Sequence, residues 1–212
     1  MRRELPIIVT ATRLEARAVR RALPGAPAVR AGVGLTRLQG ALEGPVVTCG
    51  LAGSLCSSLP VGTVVVPRCV LRPDGGALWC DPALVGALVA GARRLGQEPV
   101  LGPMVTSTRL ITGAQRAAWA ERGCVAADME TGLLDAERVA SVRVVLDTPD
   151  RELSGAWERP LAALLQPAAW AELHWLLREA PRCARLAAQV LASAFEQESS
   201  PRFPEEERFI RR

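Results

Sequence analysis

The sequence lacks three residue types altogether, because none of its 212 residues is a lysine, an asparagine or a tyrosine. All 26 basic residues are therefore arginines, and against 22 acidic residues they give a net charge of +4. A GC-rich genome explains this bias toward arginine. The arginines are scattered and form no run interleaved with aromatic residues, so the positive charge does not indicate a nucleic-acid-binding protein.

Metal-ligand patterns are also missing from the sequence. His174 is the only histidine, and the cysteines form no Cys-x-x-Cys pair. Several cysteines lie in apolar segments that resemble strands, so we expect reduced thiols in the core, no metal site and no bound cofactor. The six cysteines are Cys49, Cys56, Cys69, Cys80, Cys124 and Cys183.

No apolar run approaches the roughly 20 residues that a membrane-spanning helix needs. The start of the chain leads from Met1 into a strand that is too short to be a secretion signal. We expect a cytoplasmic protein without an integral membrane segment, and peripheral membrane association stays open. The length suits one domain at residues 1–197, helical from about residue 150, followed by a mobile charged tail at residues 198–212.

The segment from Val125 to Thr131 places two carboxylates directly after a run of small apolar residues. Such a run is typical of a buried strand whose C-terminal end opens into a ligand pocket, and Glu130 would then face the ligand. In the alternative interpretation, Asp128 or Glu130 caps a helix that begins at Thr131. The local sequence does not decide between these two roles.

Two further strand-like segments lead to acidic residues. One ends at Ala11 and is followed by a helical pattern, in which Glu15 stands three residues after Thr12. Glu15 either completes a capping box with Thr12 or supplies a carboxylate just beyond the strand. The other segment ends in Asp147. We expect Glu15, Glu130 and Asp147 to line one cavity at the strand ends.

The rest of the chain alternates strands with helices, which predicts an α/β fold. Further strands are expected from residue 28 and at 45–55, 61–67 and 99–107, and helices at 35–42, 82–95, 114–122, 168–178 and 182–195. Gly32 and Gly34 let the backbone approach a ligand. The third glycine of a dinucleotide-binding fingerprint is missing at the required spacing, so the pattern does not favour a nicotinamide enzyme.

Four motifs follow one another along the chain: Gly32-Val33-Gly34, Thr48-Cys49-Gly50-Leu51-Ala52-Gly53, Asp128-Met129-Glu130 and Arg143-Val144-Val145-Leu146-Asp147. Their order and spacing resemble the nucleoside phosphorylase and methylthioadenosine/S-adenosylhomocysteine nucleosidase superfamily. The long helical section after Asp147 looks most like the hopanoid-associated branch. The resemblance implies an α/β three-layer sandwich with a mixed, partly closed central sheet.

The resemblance also implies cleavage of the N-glycosidic bond of an adenosine-type nucleoside, including a lipid-linked one as in hopanoid biosynthesis. Adenine would be released by hydrolysis or by phosphorolysis. Asp147 matches the family acid that protonates the leaving base, and Glu15 matches the glutamate that activates water. These roles suit the chemistry, because bond breaking leaves positive charge on the ribose and negative charge on the purine.

Other positions match the family's substrate-binding residues. Met129 would lie under the ribose or base, and Glu130 would accept hydrogen bonds from the ribose hydroxyls. Leu110-Ile111 match the segment that flanks the purine, and Leu51-Ala52-Gly53 match the loop beside the sugar. Phosphate would be the co-substrate of a phosphorylase, and Arg30 is a loose candidate for binding it.

The chain departs from the family pattern at several positions. Leu146 stands where serine is usual, Pro149 where alanine is usual, and Thr63 where an acid is usual. The segment between Met129 and Asp147 is shorter than the family has, which truncates the helix that braces the site. A displaced Asp147 would lower activity greatly. A non-catalytic nucleoside-binding relative is therefore an alternative.

The late helices are rich in leucine, alanine and tryptophan, with Trp157, Trp170 and Trp175 among them. They carry more apolar surface than one sheet face needs, so we expect a homo-oligomer. A partner in a lipid-biosynthesis complex is the alternative use of this surface.

Overall fold

The computed structural model describes residues 5–154 and 167–196, with side chains from residue 172 onward in the second range. The predicted tail at residues 198–212, Trp157 and the Trp170 side chain lie outside this description. The strands are β1 (Ile7–Thr10), β2 (Ala28–Arg30), β3 (Pro45–Ser54), β4 (Val64–Val65), β5 (Cys69–Leu71), β6 (Ala77–Trp79), β7 (Met104–Thr106), β8 (Ala126–Asp128) and β9 (Arg138–Asp147). The α-helices are α1 (Arg13–Ala22), α2 (Pro82–Arg94), α3 (Ala114–Glu121) and α4 (Pro167–Phe195).

β3 is the centre of the sheet. It pairs in parallel with β1 and with β9, and it pairs antiparallel with β8 through Gly53 and Ser54. From β3 the sheet continues through β1 to β2, and through β8, β7 and β5 to β6, while β4 pairs with β9. The predicted α/β fold with a mixed sheet is confirmed, and within the described residues the sheet is not closed.

The central strands are buried on both faces. Every residue of β9 after Arg138 is buried, and so is most of β3. The sequences of such strands are nearly continuous apolar runs, because helices or loops cover each face of the sheet. Arg143, in the middle of β9, and Asp147, at its end, are the charged exceptions in this run.

Local capping begins the first two helices where the sequence predicts. Thr12 and Glu15 form the predicted capping box of α1, and the Asp81 side chain accepts a hydrogen bond from Leu84 N at 2.9 Å at the start of α2. α4 packs against α1 and α2 and also contacts β3 and β9. These three helices therefore form one layer over the centre of the sheet.

The helix predicted at residues 35–42 does not form. A short 3-10 helix at Val33–Leu35 is followed by irregular chain up to β3. Gly32 and Gly34 have φ angles of 79° and 61°, and Leu35 has 57°. A right-handed helix does not contain this left-handed backbone, so the helical pattern is broken at its start.

Four other elements differ from the predictions. Between β8 and β9 the chain makes only a 3-10 turn at Thr131–Leu133 instead of beginning an α-helix. The two late helices predicted at 168–178 and 182–195 are one continuous helix, α4, which contains Pro181. The strands predicted at 61–67 and at 99–107 are reduced to the two residues of β4 and the three residues of β7.

The cysteines are all free, as predicted, and all except the half-buried Cys56 are buried. Burial raises the pKa of the Cys49 thiol to about 12, which keeps this thiol protonated and unreactive. Within the described ranges, no helix combines the length and apolar character needed to cross a membrane.

Candidate functional site

Arg143 is the centre of a buried charged cluster and is only 2% exposed. Its Nη2 lies 2.6 Å from Asp128 Oδ2 and 3.3 Å from Glu130 Oε2, and it donates to Thr131 Oγ1 at 3.1 Å. β9 supplies the arginine, and the chain at the end of β8 supplies the acids. A buried guanidinium needs such partners, because an unpaired charge in the interior costs several kcal/mol.

Asp128 is held by hydrogen bonds on both carboxylate oxygens. Thr106 Oγ1 donates to Oδ1 at 2.5 Å, and Thr131 N donates to Oδ2 at 3.1 Å. The Thr131 hydroxyl in turn lies 2.8 Å from the Thr48 hydroxyl. Asp128 therefore caps the short turn after β8, as one of the two sequence interpretations predicted, while Arg143 balances its charge.

Glu130 does not cap this turn. Gly34 N donates to its Oε1 at 3.2 Å. Burial raises the pKa of Glu130 to about 7; Arg143 opposes this shift, and the charges of Asp128 and Glu15 add to it. A carboxyl group with a pKa near neutrality can accept hydrogen bonds from a sugar and can also exchange a proton.

Glu15 joins the start of α1 to the middle of β3. Its Oε2 accepts hydrogen bonds from Ala11 N at 3.1 Å and Thr12 N at 2.7 Å, and its Oε1 accepts one from Leu51 N at 3.1 Å. The Thr12 hydroxyl also donates to Oε2 at 2.9 Å. Since each carboxylate oxygen has two lone pairs, Oε1 can accept one more hydrogen bond. The capping role of Glu15 therefore leaves one lone pair of Oε1 available as an acceptor.

Asp147 and Arg116 form a second buried charged cluster, at the end of β9. Arg116 is 4% exposed, and its guanidinium donates to Asp147 Oδ2 and to the carbonyl oxygen of Ser54. Its Nε lies 3.0 Å from Glu152 Oε1 without the geometry of a hydrogen bond. Burial raises the pKa of Asp147 above its ordinary value, although the charge of Arg116 opposes that shift.

Two glycines of β3 make room for the two clusters. A Cβ added at Gly50 would lie 2.2 Å from Glu15 Oε1 and 2.9 Å from Arg143 Nη1. A Cβ added at Gly53 would lie 2.9 Å from Asp147 Oδ1. The two glycines stand three positions apart in β3, about 10 Å at the usual rise of a strand, and the β3–β9 register shifts between Ala52 and Gly53. Asp128 links the two clusters, because it pairs with Arg143 and also lines the cavity beside Asp147.

A small cavity of about 40 Å³ lies beside the second cluster. A cavity of this size holds only a few water molecules. Its wall contains Asp147 and several residues predicted to contact the substrate, together with Arg116. The predicted residues on this wall are Gly53, Leu110, Ile111, Met129 and Asp147.

The remaining predicted site residues lie at or near the first cluster. Glu15 and Glu130 border Arg143, Leu51 is half-buried beside Glu15, and Ala52 is buried in the core. The structure thus places the three predicted acids in two clusters along β3.

Arg143 and Arg116 are the charged site residues that the sequence reading missed. For Arg143 a signal exists, because an arginine inside the apolar segment 142–146 is out of place unless it has buried acidic partners. Arg116 offers no such signal, since it is one of 26 arginines and stands in a helix of mixed character.

Arg30, the loose candidate for binding phosphate, lies outside both clusters. With Arg13, Arg17 and Arg20 it lines an open cleft of about 490 Å³ beside α1. Partial desolvation and the positive charges of Arg37, Arg13 and Arg20 lower its pKa. In the part of the chain that the structure describes, no three His, Cys, Asp or Glu side chains are grouped so that they could hold a metal ion.

No protein-family model matches the sequence, and no curated protein matches it. Solved structures match the fold. The 5′-methylthioadenosine/S-adenosylhomocysteine nucleosidase of Helicobacter pylori aligns with a TM-score of 0.65 and 14% identity, covering 91% of this chain and 98% of that chain. The S-adenosylhomocysteine nucleosidase of Streptococcus pyogenes aligns with a TM-score of 0.66 and 16% identity, covering 92% of this chain and 97% of that chain. The futalosine hydrolase of Helicobacter pylori aligns with a TM-score of 0.64 and 13% identity, covering 91% of this chain and 98% of that chain. At these identities the similarity establishes the fold, and the chain has the nucleoside phosphorylase-like α/β fold of these three enzymes.

Proposed function

We propose that this protein hydrolyses the N-glycosidic bond of a purine nucleoside. The observation that carries the proposal is that β3 holds the buried acids in two neighbouring clusters, with Glu15 against Gly50 and Asp147 against Gly53. The shared fold of solved nucleosidases supports the same chemistry.

Asp147 is the general acid in this proposal. Burial raises its pKa, which favours the protonated form that a general acid needs. When the bond between C1′ and N9 breaks, the electron pair passes to the base, and Asp147 delivers its proton to N7. Leu110, Ile111 and Met129, on the wall of the same cavity, would enclose the base.

Glu15 and Glu130 act at the sugar. The remaining lone pair of Glu15 Oε1 accepts a hydrogen bond from water; the water oxygen bonds to C1′, and its proton passes to Glu15. Glu130 accepts hydrogen bonds from the ribose hydroxyls and stabilises the positive charge that develops on the sugar. Leu51 and Ala52, next to Gly50, would lie beside the ribose.

Water is the favoured nucleophile in this proposal rather than phosphate. Arg116 and Arg143, which lie in the two acid clusters, are each paired with carboxylates. A phosphate placed there would face negative charges. Arg30 lies in the cleft beside α1, and no residue of either cluster lines that cleft. The sequence predicts an adenosine-type nucleoside, either free or linked to a lipid. We propose this class as the first substrates to assay.

A second candidate function is nucleoside binding without cleavage. Two observations favour it. Arg116 donates a hydrogen bond to Asp147, and where the family has a helix that braces the site this chain has only a 3-10 turn at Thr131–Leu133. Both would leave Asp147 unable to reach a base in the productive geometry.

The two candidates differ in whether free base appears. Adenosine, 5′-methylthioadenosine and inosine are incubated with the full chain, with and without phosphate, and free base is quantified by chromatography. Hydrolysis predicts base release that does not depend on phosphate. Binding measured by calorimetry without any base release would support the second candidate instead.

Replacing Asp147 by asparagine tests the general acid directly. Asp147→Asn keeps the shape of the side chain but cannot deliver a proton, so we expect kcat to fall at least about 100-fold while nucleoside affinity is nearly unchanged. Glu98→Gln, which removes an exposed acid of the Arg93 ion pair, is the matched control and should keep full activity. An unchanged kcat in Asp147→Asn would refute the assignment.

A further inference from the structure

Arg116 brings a positive charge into the cavity that the proposed function assigns to the base. It reaches this place from α3, and it shares the cavity wall with Leu110, Ile111 and Asp147. None of the roles given to the predicted site residues explains a guanidinium at this position. Its effect on a bound base therefore needs separate consideration.

The guanidinium of Arg116 carries five N–H donors and no acceptor. Nη1 donates to the Ser54 carbonyl oxygen and Nη2 donates to Asp147 Oδ2, so each keeps a second N–H, whereas Nε lies 3.0 Å from Glu152 Oε1. Donors of Arg116 therefore remain for a ligand. The ligand atom that meets them must be a hydrogen-bond acceptor.

The size of the cavity makes this requirement strict. Its volume of about 40 Å³ admits only a few water molecules, so a base can enter only when some side chains on its wall move. Arg116 stays beside Asp147 as long as its hydrogen bonds to Asp147 and Ser54 hold. Buried donors without an acceptor are costly, so a base beside Arg116 binds favourably only when it presents an acceptor to the remaining N–H groups.

Purines differ at the edge that would meet this pair of side chains. A 6-oxopurine presents acceptors at both N7 and C6, whereas a 6-aminopurine presents an acceptor at N7 and a donor at C6. With N7 at Asp147, the C6 substituent lies beside Arg116, because Arg116 and Asp147 are neighbours. An oxo oxygen accepts a hydrogen bond from the guanidinium, and an amino group cannot.

We propose that Arg116 is a specificity-determining residue of the base site and selects nucleosides of 6-oxopurines over those of 6-aminopurines. This inference rests on the proposed function and replaces its adenosine-type substrate by an inosine-type one. The guanidinium also lies where negative charge develops on the departing base. Its hydrogen bond to the oxo oxygen therefore strengthens as the bond between C1′ and N9 breaks.

The test compares kcat/KM for base release from inosine and adenosine, which share the ribose and differ at C6. Wild type should prefer inosine about 10- to 100-fold. Arg116→Met, which removes the donors at similar length, should bring the ratio close to one. Arg116→Gln should also bring the ratio close to one, since its amide can donate to an oxo oxygen or accept from an amino group. Arg93→Met, at an exposed arginine, is the control and should keep the wild-type ratio.

A merely structural role of Arg116 would lower both activities together and leave the ratio unchanged. That result, or a wild-type preference for adenosine, overturns the inference. If Arg116→Met does not fold, the inference is tested by the inosine-to-adenosine ratio of kcat/KM in wild type and in Arg116→Gln.

If wild type releases no base from either nucleoside, the proposed function fails, and calorimetry with free hypoxanthine and adenine tests Arg116 by itself. Tighter binding of hypoxanthine by wild type, lost in Arg116→Met, supports the inference. Equal binding of the two bases, or binding of neither, overturns it.

Discussion

At the scale of single residues, protonation of Glu130 is coupled to the stability of the fold. Burial raises its pKa from 4.5 to about 7, so the folded state holds this proton more tightly than the unfolded chain does. The resulting stabilisation is fully present below about pH 4.5 and is lost as the pH rises to about 7. Over the whole range the change amounts to about 3 kcal/mol.

Glu130→Gln should remove this pH dependence, because glutamine keeps the shape of the side chain and cannot ionise. Between about pH 5 and pH 8, the unfolding free energy of the variant should rise by about 2 to 3 kcal/mol relative to wild type. Urea unfolding at a series of pH values measures this difference.

Glu98→Gln is the control for that measurement. The pKa of Glu98 is lowered by its hydrogen bond to Arg93, so its contribution to stability is lost only as the pH falls below about 4.5. Its difference from wild type should stay constant between about pH 5 and pH 8. A constant difference for Glu130→Gln as well would mean that Glu130 is already ionised at the lower pH.

The acids of the site could be predicted from the sequence, whereas their basic partners could not. Glu130 and Asp147 stand at the ends of apolar segments, and a strand signal in the sequence suffices to find them. The partner of Asp147 is Arg116, 31 residues away and on a different element. Local periodicity contains no information on such a contact, because the sheet order alone brings α3 and the end of β9 together.

At the scale of secondary structure, two glycines of α2 have opposite surroundings. A Cβ added at Gly91 would lie 2.7 Å from Val190 O and 2.8 Å from Ala194 N, whereas one added at Gly86 would meet nothing within 4 Å. The atoms near Gly91 belong to the backbone of α4 and cannot rotate away. The close approach of α2 and α4 therefore depends on the missing side chain at Gly91.

Gly91→Ala should destabilise the protein by about 1 to 3 kcal/mol, because α2 and α4 must separate to admit the methyl group. Gly86→Ala, in the same helix, should stabilise it by up to about 1 kcal/mol through helix propensity. Urea unfolding of the two variants measures both effects. Similar changes in the two variants would contradict the close contact between the helices.

The elements that were predicted correctly are those with a local start signal. Thr12 and Asp81 cap α1 and α2 in the structure as the sequence indicates. The predicted helix at 35–42 had suitable leucine spacing, but the positive φ angles of Gly34 and Leu35 prevent it. The short turn at Thr131–Leu133 ends because Leu134 is extended and leads toward β9.

At the scale of the whole molecule, assembly is the property to test. The late helices carry the apolar surface from which the sequence predicts a homo-oligomer, and Leu177 on α4 is 67% exposed. We expect light scattering of the full chain at micromolar concentrations to give a mass of at least two copies. A mass of 22.6 kDa across that concentration range would instead identify a monomer.

The packing of α4 against α1 has a consequence for biosynthesis. α1 is made early and α4 late, so the ribosome needs roughly 7 to 30 s to produce the chain between them. During that interval the surface of α1 that packs against α4 is uncovered, and the edge of β3 that pairs with β9 has no partner strand. The central layer can therefore assemble only after most of the chain has emerged, and until then these surfaces expose the nascent protein to aggregation.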